Sequence, residues 1–222
     1  IIYKELQQLS REKNQVINER VVCMNQLHAE QAQALPNFKT IKRLNERILL
    51  LQSQEKEINA DMLDKVEKDK DARESVKLMS SIPGVGKVTA ISVLAETNGF
   101  ELIRNKKQLT SYAGLDIREK QSGTSIKGKA RISKKGNKNL RKTLHFPAIT
   151  ATRINNQYRE LFHRIVSKTG IKMKGLVAVQ RKILELMYIL FKNKTPYQAN
   201  YQENRTANQK DPCPILADSG SL

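Results

Sequence analysis

The stretch Ile82-Pro83-Gly84-Val85-Gly86-Lys87 separates two segments whose apolar residues recur at helical spacing. The first segment runs from Asp71 to Met79, and the second runs from Val88 to Ala95. Proline and glycine interrupt a helix, and the periodic pattern resumes directly after them. This part of the sequence therefore predicts a helix, a tight glycine turn and a second helix.

The turn does not fit a nucleotide-binding P-loop. Such a loop would need Gly at the position of Ser81 and Ser or Thr at that of Val88, and it would follow a strand. A helix-hairpin-helix turn fits better, because glycine lets the backbone approach a phosphate, whose charge the free amides and dipole of the next helix stabilise. We therefore expect Gly84, Gly86 and Lys87 to contact a nucleic-acid backbone; an ordinary helix–helix turn is the alternative.

Upstream of this turn, residues 1–80 carry two apolar repeats separated by Leu35-Pro36-Asn37. Steps of three and four place each repeat on one stripe of a helix, as in a coiled coil, and proline interrupts the helix between them. The stripe residues are Ile2, Leu6, Leu9, Val16, Cys23 and Leu27 in the first repeat, and Ile41, Leu44, Ile48, Leu51, Ile58 and Met62 in the second. We expect residues 1–80 to form a scaffold or dimerisation arm that assembles a dimer or tetramer.

Downstream of the turn, residues 81–195 predict a compact helical domain. One helix starts near Asn137 and is expected to kink at Pro147. Two further helices fit Gln157–Ser167 and Gly175–Phe191, and the second of these is apolar enough to belong to the core.

Two other segments complete the predicted organisation. The polar, basic stretch 116–136 contains short β-favouring pieces on either side of Gly123, which indicate a small hairpin or extended loop. Residues 196–222 are polar and aperiodic and are expected to be disordered. The predicted fold class is mainly α: a long antiparallel coiled-coil hairpin, then a compact helical domain with the helix-hairpin-helix-like turn and the small basic hairpin or loop.

The charge of the chain is concentrated in one segment. The 222 residues include 40 Lys and Arg against 22 Asp and Glu, a net charge of +18, and residues 81–195 hold 24 of the cations and 6 of the carboxylates. A concentrated positive field attracts phosphates and releases their counterions, so a nucleic acid is the expected partner, and a merely solvated face is the alternative. The expected phosphate contacts are Lys127, Lys129, Arg131, Lys134, Lys135 and Arg141.

Several other classes of function are excluded by the sequence. Cys23 and Cys213 match no zinc or redox spacing, and His28, His145 and His163 stand apart from one another, so we expect no metal site. No apolar run approaches the ~18 residues of a membrane helix, so we expect no membrane insertion. A reducing, cytoplasmic setting fits this composition.

The basic stretch also contains hydroxyl groups that could act chemically. Ser122, Thr124 and Ser125 lie beside the flexible Gly123 and a cluster of cations. Nearby cations stabilise both an alkoxide and the charge that develops during phosphoryl transfer. By chemistry alone, simple hydrogen bonds from these hydroxyls to DNA phosphates are the favoured interpretation.

Four ordered motifs resemble those of a known family. They look like the C-terminal domain of the bridge-RNA-guided insertion-sequence transposases, which are relatives of the Piv DNA invertase, and the resemblance covers about residues 1–197. The motifs are Ser81–Gly86, Ser111–Leu115, Gln121–Ser125 and Arg131–Asn137, the last followed by Leu140-Arg141.

The resemblance implies a recombinase whose serine nucleophile takes up a DNA phosphate. The family's serine stands directly before Gly in the basic loop, which is Ser122 here, so the resemblance reverses the preference drawn from chemistry alone. It also implies an N-terminal RuvC-like domain whose acidic residues bind Mg²⁺. This chain opens at the coiled coil, so we expect it to hold no cofactor and to lack part of the catalytic machinery when alone.

The partners that the resemblance implies are DNA and a structured guide RNA, in a bacterial, nucleoid-associated protein. Two other functions remain open. One is a non-catalytic helix-hairpin-helix nucleic-acid-binding module, in which Ser122 is only a phosphate contact. The other is a basic RNA-binding scaffold protein.

Overall fold

A computed structural model of the chain describes residues 2–118, 121–122, 126–127 and 131–199. The described part of the chain is mainly helical, as predicted, and contains two short antiparallel β-ladders. Its elements are α1 (Ile2–Gln31), α2 (Phe38–Lys68), α3 (Lys70–Ser80), α4 (Lys87–Glu96), α5 (Lys106–Tyr112), β1 (Ile117–Arg118), β2 (Gln121–Ser122), β3 (Ile126–Lys127), β4 (Arg131–Ile132), α6 (Lys138–Thr143), α7 (His145–Ile154), α8 (Asn156–Thr169) and α9 (Lys172–Asn193).

Helices α1 and α2 pack against each other as an antiparallel hairpin, which we call the arm. Two ion pairs join the helices, one from Lys65 to Glu5 at 2.7 Å and one from Arg20 to Glu55 at 2.8 Å. The predicted stripes face each other inside the hairpin. Their buried members are Leu6, Val16, Cys23, Leu44, Ile48, Leu51, Ile58 and Met62.

The loop of the arm ends where the sequence provides a cap. The side chain of Asn37 accepts hydrogen bonds from the amides of Lys39 and Thr40, which satisfies two free donors at the start of α2. At the other end of α2, Asp69 has extended backbone angles and its side chain accepts from the amide of Ala72. Asp69 thus ends α2 and caps α3 in one step.

The buried core runs without a break from the arm into the helices that follow. Helix α4 is buried from Ala90 to Glu96 and packs on α1, α2, α3 and α6. At its end, Gly99 lies so close to Tyr3 of α1 that a Cβ there would fall 2.5 Å from the ring. The base of the arm is therefore part of the same packed body as α4.

Helices α7, α8 and α9 pack together, and α9 also packs on α3 and α5. The region predicted as one kinked helix is in fact two, because α6 ends at Thr143 and α7 begins at His145. Pro147 then lies in the first turn of α7, where its missing N–H costs no helical hydrogen bond. The predicted apolar helix is α9, whose buried residues include Val179, Ile183, Leu184 and Met187.

The segment after α9 folds back on the domain over its first residues. The backbone amide of Tyr197 donates to Ser81 Oγ at 2.9 Å, and the Tyr197 hydroxyl accepts from the Asn155 side chain at 3.1 Å. The sequence predicts disorder for residues 196–222. Residues 196–199 are described and include Tyr197, which contacts the domain, whereas residues from 200 onward lie outside the described residues.

Candidate nucleic-acid interface

The basic hairpin grows out of a fixed base. Backbone hydrogen bonds run from Ser133 N to Asp116 O (2.8 Å), from Lys134 N to Gly114 O (3.1 Å), and from Asn137 N to Tyr112 O (2.8 Å). The motifs 111–115 and 131–137 therefore lie side by side. These bonds fix the base of the hairpin relative to α5 and α6.

Glycine is required in both motifs for different reasons. Gly114 has φ +66°, a conformation that side chains with a Cβ rarely adopt. A Cβ at Gly136 would lie 2.5 Å from Tyr112 O and 2.6 Å from Gly114 N. These glycines let the two segments approach each other closely.

Two short ladders carry the described part of the hairpin. In the outer ladder β1 pairs with β4, with Ile117 opposite Ile132. In the inner ladder β2 pairs with β3, with Ser122 opposite Ile126. The backbone position of the predicted nucleophile Ser122 is therefore next to the three-residue connection between β2 and β3, and that connection lies outside the described residues.

The predicted cations fall into three groups. Arg131, Lys134 and Lys135 are exposed on the returning side of the hairpin. Lys127 is in β3, and Lys129 lies outside the described residues. The contact of these cations with phosphates stays a prediction.

Arg141 has a structural partner as well. It is half-buried in α6, and its Nη1 donates to the backbone oxygen of Ala113 at 2.7 Å. That bond satisfies a carbonyl at the end of α5, where helix carbonyls lack internal partners. One N–H group of this guanidinium is thus used in a hydrogen bond at the base of the hairpin.

The two glycines of the turn at 82–87 have different surroundings. Gly84 has φ +88° and packs on α7, where a Cβ would lie 2.8 Å from Ala151 N and 2.9 Å from Pro147 O. Gly86 is exposed with open space around it, and it caps the start of α4 next to the exposed Lys87. Of the two glycines, Gly86 has the room for a phosphate.

A buried carboxylate, Glu96 at the end of α4, organises this region, and the sequence analysis missed it. The Glu96 side chain is 1% exposed and accepts from Asn137 Nδ2 at 2.7 Å and from Asn139 Nδ2 at 2.9 Å. Arg11 of the arm approaches the same carboxylate, with Nε 3.4 Å from Oε1 and Nη2 3.5 Å from Oε2. A single acid that closes the apolar run 88–95 is the signal that could have revealed it.

A second approach of the arm to the cationic region lies near Lys13 and Asn18 of α1. Burial lowers the pKa of Lys13, the nearby Lys142 acts in the same direction, and Glu55 opposes them. Lys142 itself donates from Nζ to Asn18 Oδ1 at 3.0 Å. The arm thus lies directly against the basic helix α6 rather than apart from it.

A shallow cleft of about 620 Å³, widely open to solvent, lies where α1, α5 and the end of the hairpin meet. It is lined by Arg11, Gln108, Ser111, Tyr112 and residues 135–137.

Within the described ranges, no group of three or more His, Cys, Asp or Glu residues is arranged to hold a metal ion. Nor does any helix of the described chain have the length and apolarity needed to cross a bilayer.

Comparison with known proteins identifies the relatives of this chain. Residues 76–163 match the model of the family described as "Transposase IS116/IS110/IS902 family". The chain is 31% identical over 127 residues to the pilin gene-inverting proteins of Moraxella bovis and Moraxella lacunata, a match that covers 57% of this chain and 39% of each relative. It is 32% identical over 126 residues to the transposase for insertion sequence element IS1111A of Coxiella burnetii, covering 55% of this chain and 31% of that protein.

These matches confirm the relationship that the sequence motifs predicted, and they span less than half the length of the relatives. The matched region contains the turn at 82–87, the base of the hairpin and the buried Glu96. Residues 76–163 therefore resemble the domain that the IS116/IS110/IS902 transposase model describes, and the chain is related to the pilin gene-inverting proteins and to insertion-sequence transposases.

Proposed function

We propose that this chain is the part of a DNA transposase or invertase that binds DNA and a structured guide RNA and supplies the nucleophile for strand exchange. The observation that carries the proposal is the fixed base of the basic hairpin. Hydrogen bonds from residues 133–137 to residues 112–116 fix the strand and turn that carry the exposed Arg131, Lys134 and Lys135, in the same hairpin whose inner ladder contains Ser122. A fixed array of cations can grip phosphates without paying the entropy of ordering a free loop.

Ser122 is the proposed nucleophile. Its hydroxyl oxygen would bond to the phosphorus of a DNA strand while the bond from phosphorus to a deoxyribose oxygen breaks. The serine proton passes to a general base, and the released oxygen takes up a proton. The surrounding cations would stabilise the charge that develops on the phosphoryl oxygens.

The general base is proposed to come from another domain. Asp116 is the nearest described carboxylate in this segment, but it already accepts a hydrogen bond from Ser133 Oγ at the base of the hairpin. An additional RuvC-like domain with bound Mg²⁺ would supply both a proton acceptor and further stabilisation of charge. Within this chain, the proposed roles of the residues are to position the serine and to bind the phosphates.

Self-association is the remaining part of the proposal. The stripes of α1 and α2 are used up inside the arm, so a second copy would pack on the outer face. Val22 and Leu50 are both more than half exposed. A groove between α1 and α2 is lined by Gln26 and Arg47, which lie one helical turn from Val22 and Leu50 respectively, so we infer that these two apolar residues lie near the same outer face of the arm.

The decisive experiment is to trap the covalent intermediate. A protein in which an N-terminal RuvC-like domain precedes residue 1 is mixed with guide RNA and a labelled DNA junction. Ser122→Ala should abolish the protein–DNA adduct while DNA binding stays within a few-fold of normal, and the matched change Ser125→Ala should retain adduct. An adduct that survives Ser122→Ala and disappears with Ser125→Ala assigns the nucleophile to Ser125 instead.

A non-catalytic nucleic-acid-binding module is the second candidate, favoured by the open space at Gly86 in front of α4. Tight DNA binding with no adduct under any of these conditions would support it. Preference for structured RNA over duplex DNA would instead favour an RNA-binding scaffold.

A further inference from the structure

The cleft between the arm and α5 combines two cations with one exposed aromatic ring. The Arg11 side chain is 57% exposed although its guanidinium approaches Glu96, and the exposed Lys135 lines the same cleft. Among the described residues that line the cleft, none carries a carboxylate. The carboxylate of Glu96 is buried and already accepts hydrogen bonds from two asparagine amides and from Arg11.

Tyr112 is held rigidly at both ends. Its hydroxyl donates to the backbone oxygen of Glu96 at 2.9 Å, and its own backbone oxygen accepts from Asn137 N at 2.8 Å. The residue is nevertheless 42% exposed. Capping the end of α4 explains the position of the hydroxyl, but it does not require the ring to remain open to the cleft.

We propose that the cleft binds one unpaired nucleotide of the bound nucleic acid, with the base stacked on Tyr112 and its flanking phosphates held by Arg11 and Lys135. Proteins bind single-stranded segments by stacking bases on aromatic side chains within a positively charged groove. A ring whose hydroxyl is already fixed loses little further freedom when a base stacks on it. The inference rests on the proposed binding of nucleic acid and adds a place for a base that is not paired.

The cleft also gives the arm a role beyond scaffolding. Arg11 belongs to α1, and its approach to Glu96 holds it at the cleft that Lys135 also lines. A duplex would present only its paired edges and its phosphates, and no base face could reach Tyr112. The site therefore selects single strands, loops or flipped bases, in either RNA or DNA.

The test measures binding of short single-stranded RNA, single-stranded DNA and duplex DNA to the full 222-residue chain. The single strands carry 2-aminopurine, whose fluorescence falls when it stacks. Tyr112→Leu should weaken both single strands by about 5- to 100-fold and restore the fluorescence, because the stacking surface is lost. Duplex binding should change less than about two-fold.

Matched variants separate stacking from structure. Tyr112→Phe loses the same hydrogen bond to Glu96 but keeps the ring, so it should quench and bind like the unmodified chain. Phe38→Leu removes an exposed aromatic ring at the far end of the arm and should change nothing. Lys135→Gln should weaken single strands more than Lys168→Gln, which alters an exposed lysine of α8 outside the cleft.

The outcomes separate this inference from the proposed function. Equal single-strand affinity and quenching in Tyr112→Leu and the unmodified chain overturn the stacking site while leaving phosphate binding intact. If Tyr112→Leu does not fold, Tyr112→Phe and Lys135→Gln decide: an unquenched base in Tyr112→Phe, or no loss in Lys135→Gln, overturns the site. Absence of binding to every nucleic acid by the unmodified chain overturns the proposed function itself. Tighter binding of single-stranded RNA or of single-stranded DNA identifies which of the two nucleic acids supplies the stacked base.

Discussion

Arg11 and Glu96 meet at the junction where the arm packs on helix α4, although 85 residues separate them in the chain. The carboxylate is buried at the end of α4, and the guanidinium reaches it from α1. The same carboxylate accepts from the two asparagines at the start of α6. One acidic side chain thus connects three elements on which the base of the hairpin depends.

We predict that Glu96→Leu lowers the free energy of unfolding by about 2–4 kcal/mol, because it leaves the side-chain amides of the half-buried Asn137 and Asn139 without their acceptor. Arg11→Met should cost less than about 1 kcal/mol, since its side chain is largely solvated. Urea unfolding followed by circular dichroism measures both changes.

The control for this prediction is Glu46→Leu, which removes an exposed carboxylate that pairs with Lys42 on α2. It should change stability by less than about 0.5 kcal/mol. Equal effects of Glu46→Leu and Glu96→Leu would show that Glu96 does not organise the junction.

The neighbouring residues Leu50 and Leu51 provide a matched pair for the arm. Leu51 is 8% exposed inside the hairpin, whereas Leu50 is 59% exposed on its outer face. We predict that Leu51→Lys destabilises the fold by about 3 kcal/mol or more, because it buries an unpaired charge. Leu50→Lys should leave stability within about 0.5 kcal/mol of the unmodified chain.

Sedimentation then tests the proposed self-association. If copies meet through the outer face, Leu50→Lys combined with Val22→Lys should convert an oligomer to a monomer that is still folded. An unmodified chain that is already monomeric at micromolar concentration would contradict the proposal.

Lys13 gives a prediction about pH. Its pKa is lowered by burial, so the folded state disfavours its proton relative to the unfolded state, and the ammonium is a cost at neutral pH. Lys13→Met should therefore raise the free energy of unfolding at pH 7. This advantage should shrink as the pH rises through the lowered pKa and disappear above the unfolded value of about 10.4.

Thermal or urea unfolding of the two proteins across this pH range measures the difference directly. Lys4→Met, an exposed change on the same helix, should alter stability at pH 7 by less than about 0.5 kcal/mol. A gain for Lys13→Met that stays constant with pH would mean that better packing, and not the charge, is responsible.

The helical organisation could be predicted from the sequence because it depends on local patterns. The apolar stripes of α1 and α2 and the turn at 82–87 are each set by residues within a few positions of one another. The separation of α6 from α7 was missed, since Pro147 can end a helix or occupy its first turn, and only packing decides between them.

The junction at Glu96 could not be predicted for a related reason. Its partners Arg11 and Asn139 are remote in sequence, and each is also an ordinary surface residue by type. Gly84 illustrates the same point, because its close contact with α7 involves Pro147 and Ala151, far along the chain. Local patterns identified which residues are unusual, while tertiary packing determined what they contact.

Phosphate binding can be counted from its salt dependence. Each Lys or Arg that contacts a phosphate contributes about one unit to the slope of log K against log salt. We predict that changing Lys127, Lys129 and Arg131 together to Ala flattens this slope by about two to three units and weakens all duplex sequences similarly.

The matched triple change for the salt experiment uses the exposed cations Lys168, Lys172 and Lys174 around the α8–α9 turn. It removes the same charge from another surface and should alter the slope by less than about one unit. An unchanged slope in the hairpin variant would locate the binding surface elsewhere.

The last prediction contrasts the two glycines of the turn at 82–87. Gly84→Ala should destabilise the domain by about 1–3 kcal/mol, because its φ is +88° and the new Cβ would collide with backbone atoms of α7. Gly86→Val meets no atom within 4 Å, so it should cost only about 1 kcal/mol through the poorer cap of α4. The added side chain would nevertheless stand where a phosphate must approach the free amides of that helix, so the folded Gly86→Val protein should bind duplex DNA several-fold more weakly. Binding is measured beside Lys77→Val, an exposed change on α3, to control for a general effect of surface substitution. Equal DNA affinity for folded Gly86→Val and the unmodified chain would make the turn a simple connection between α3 and α4.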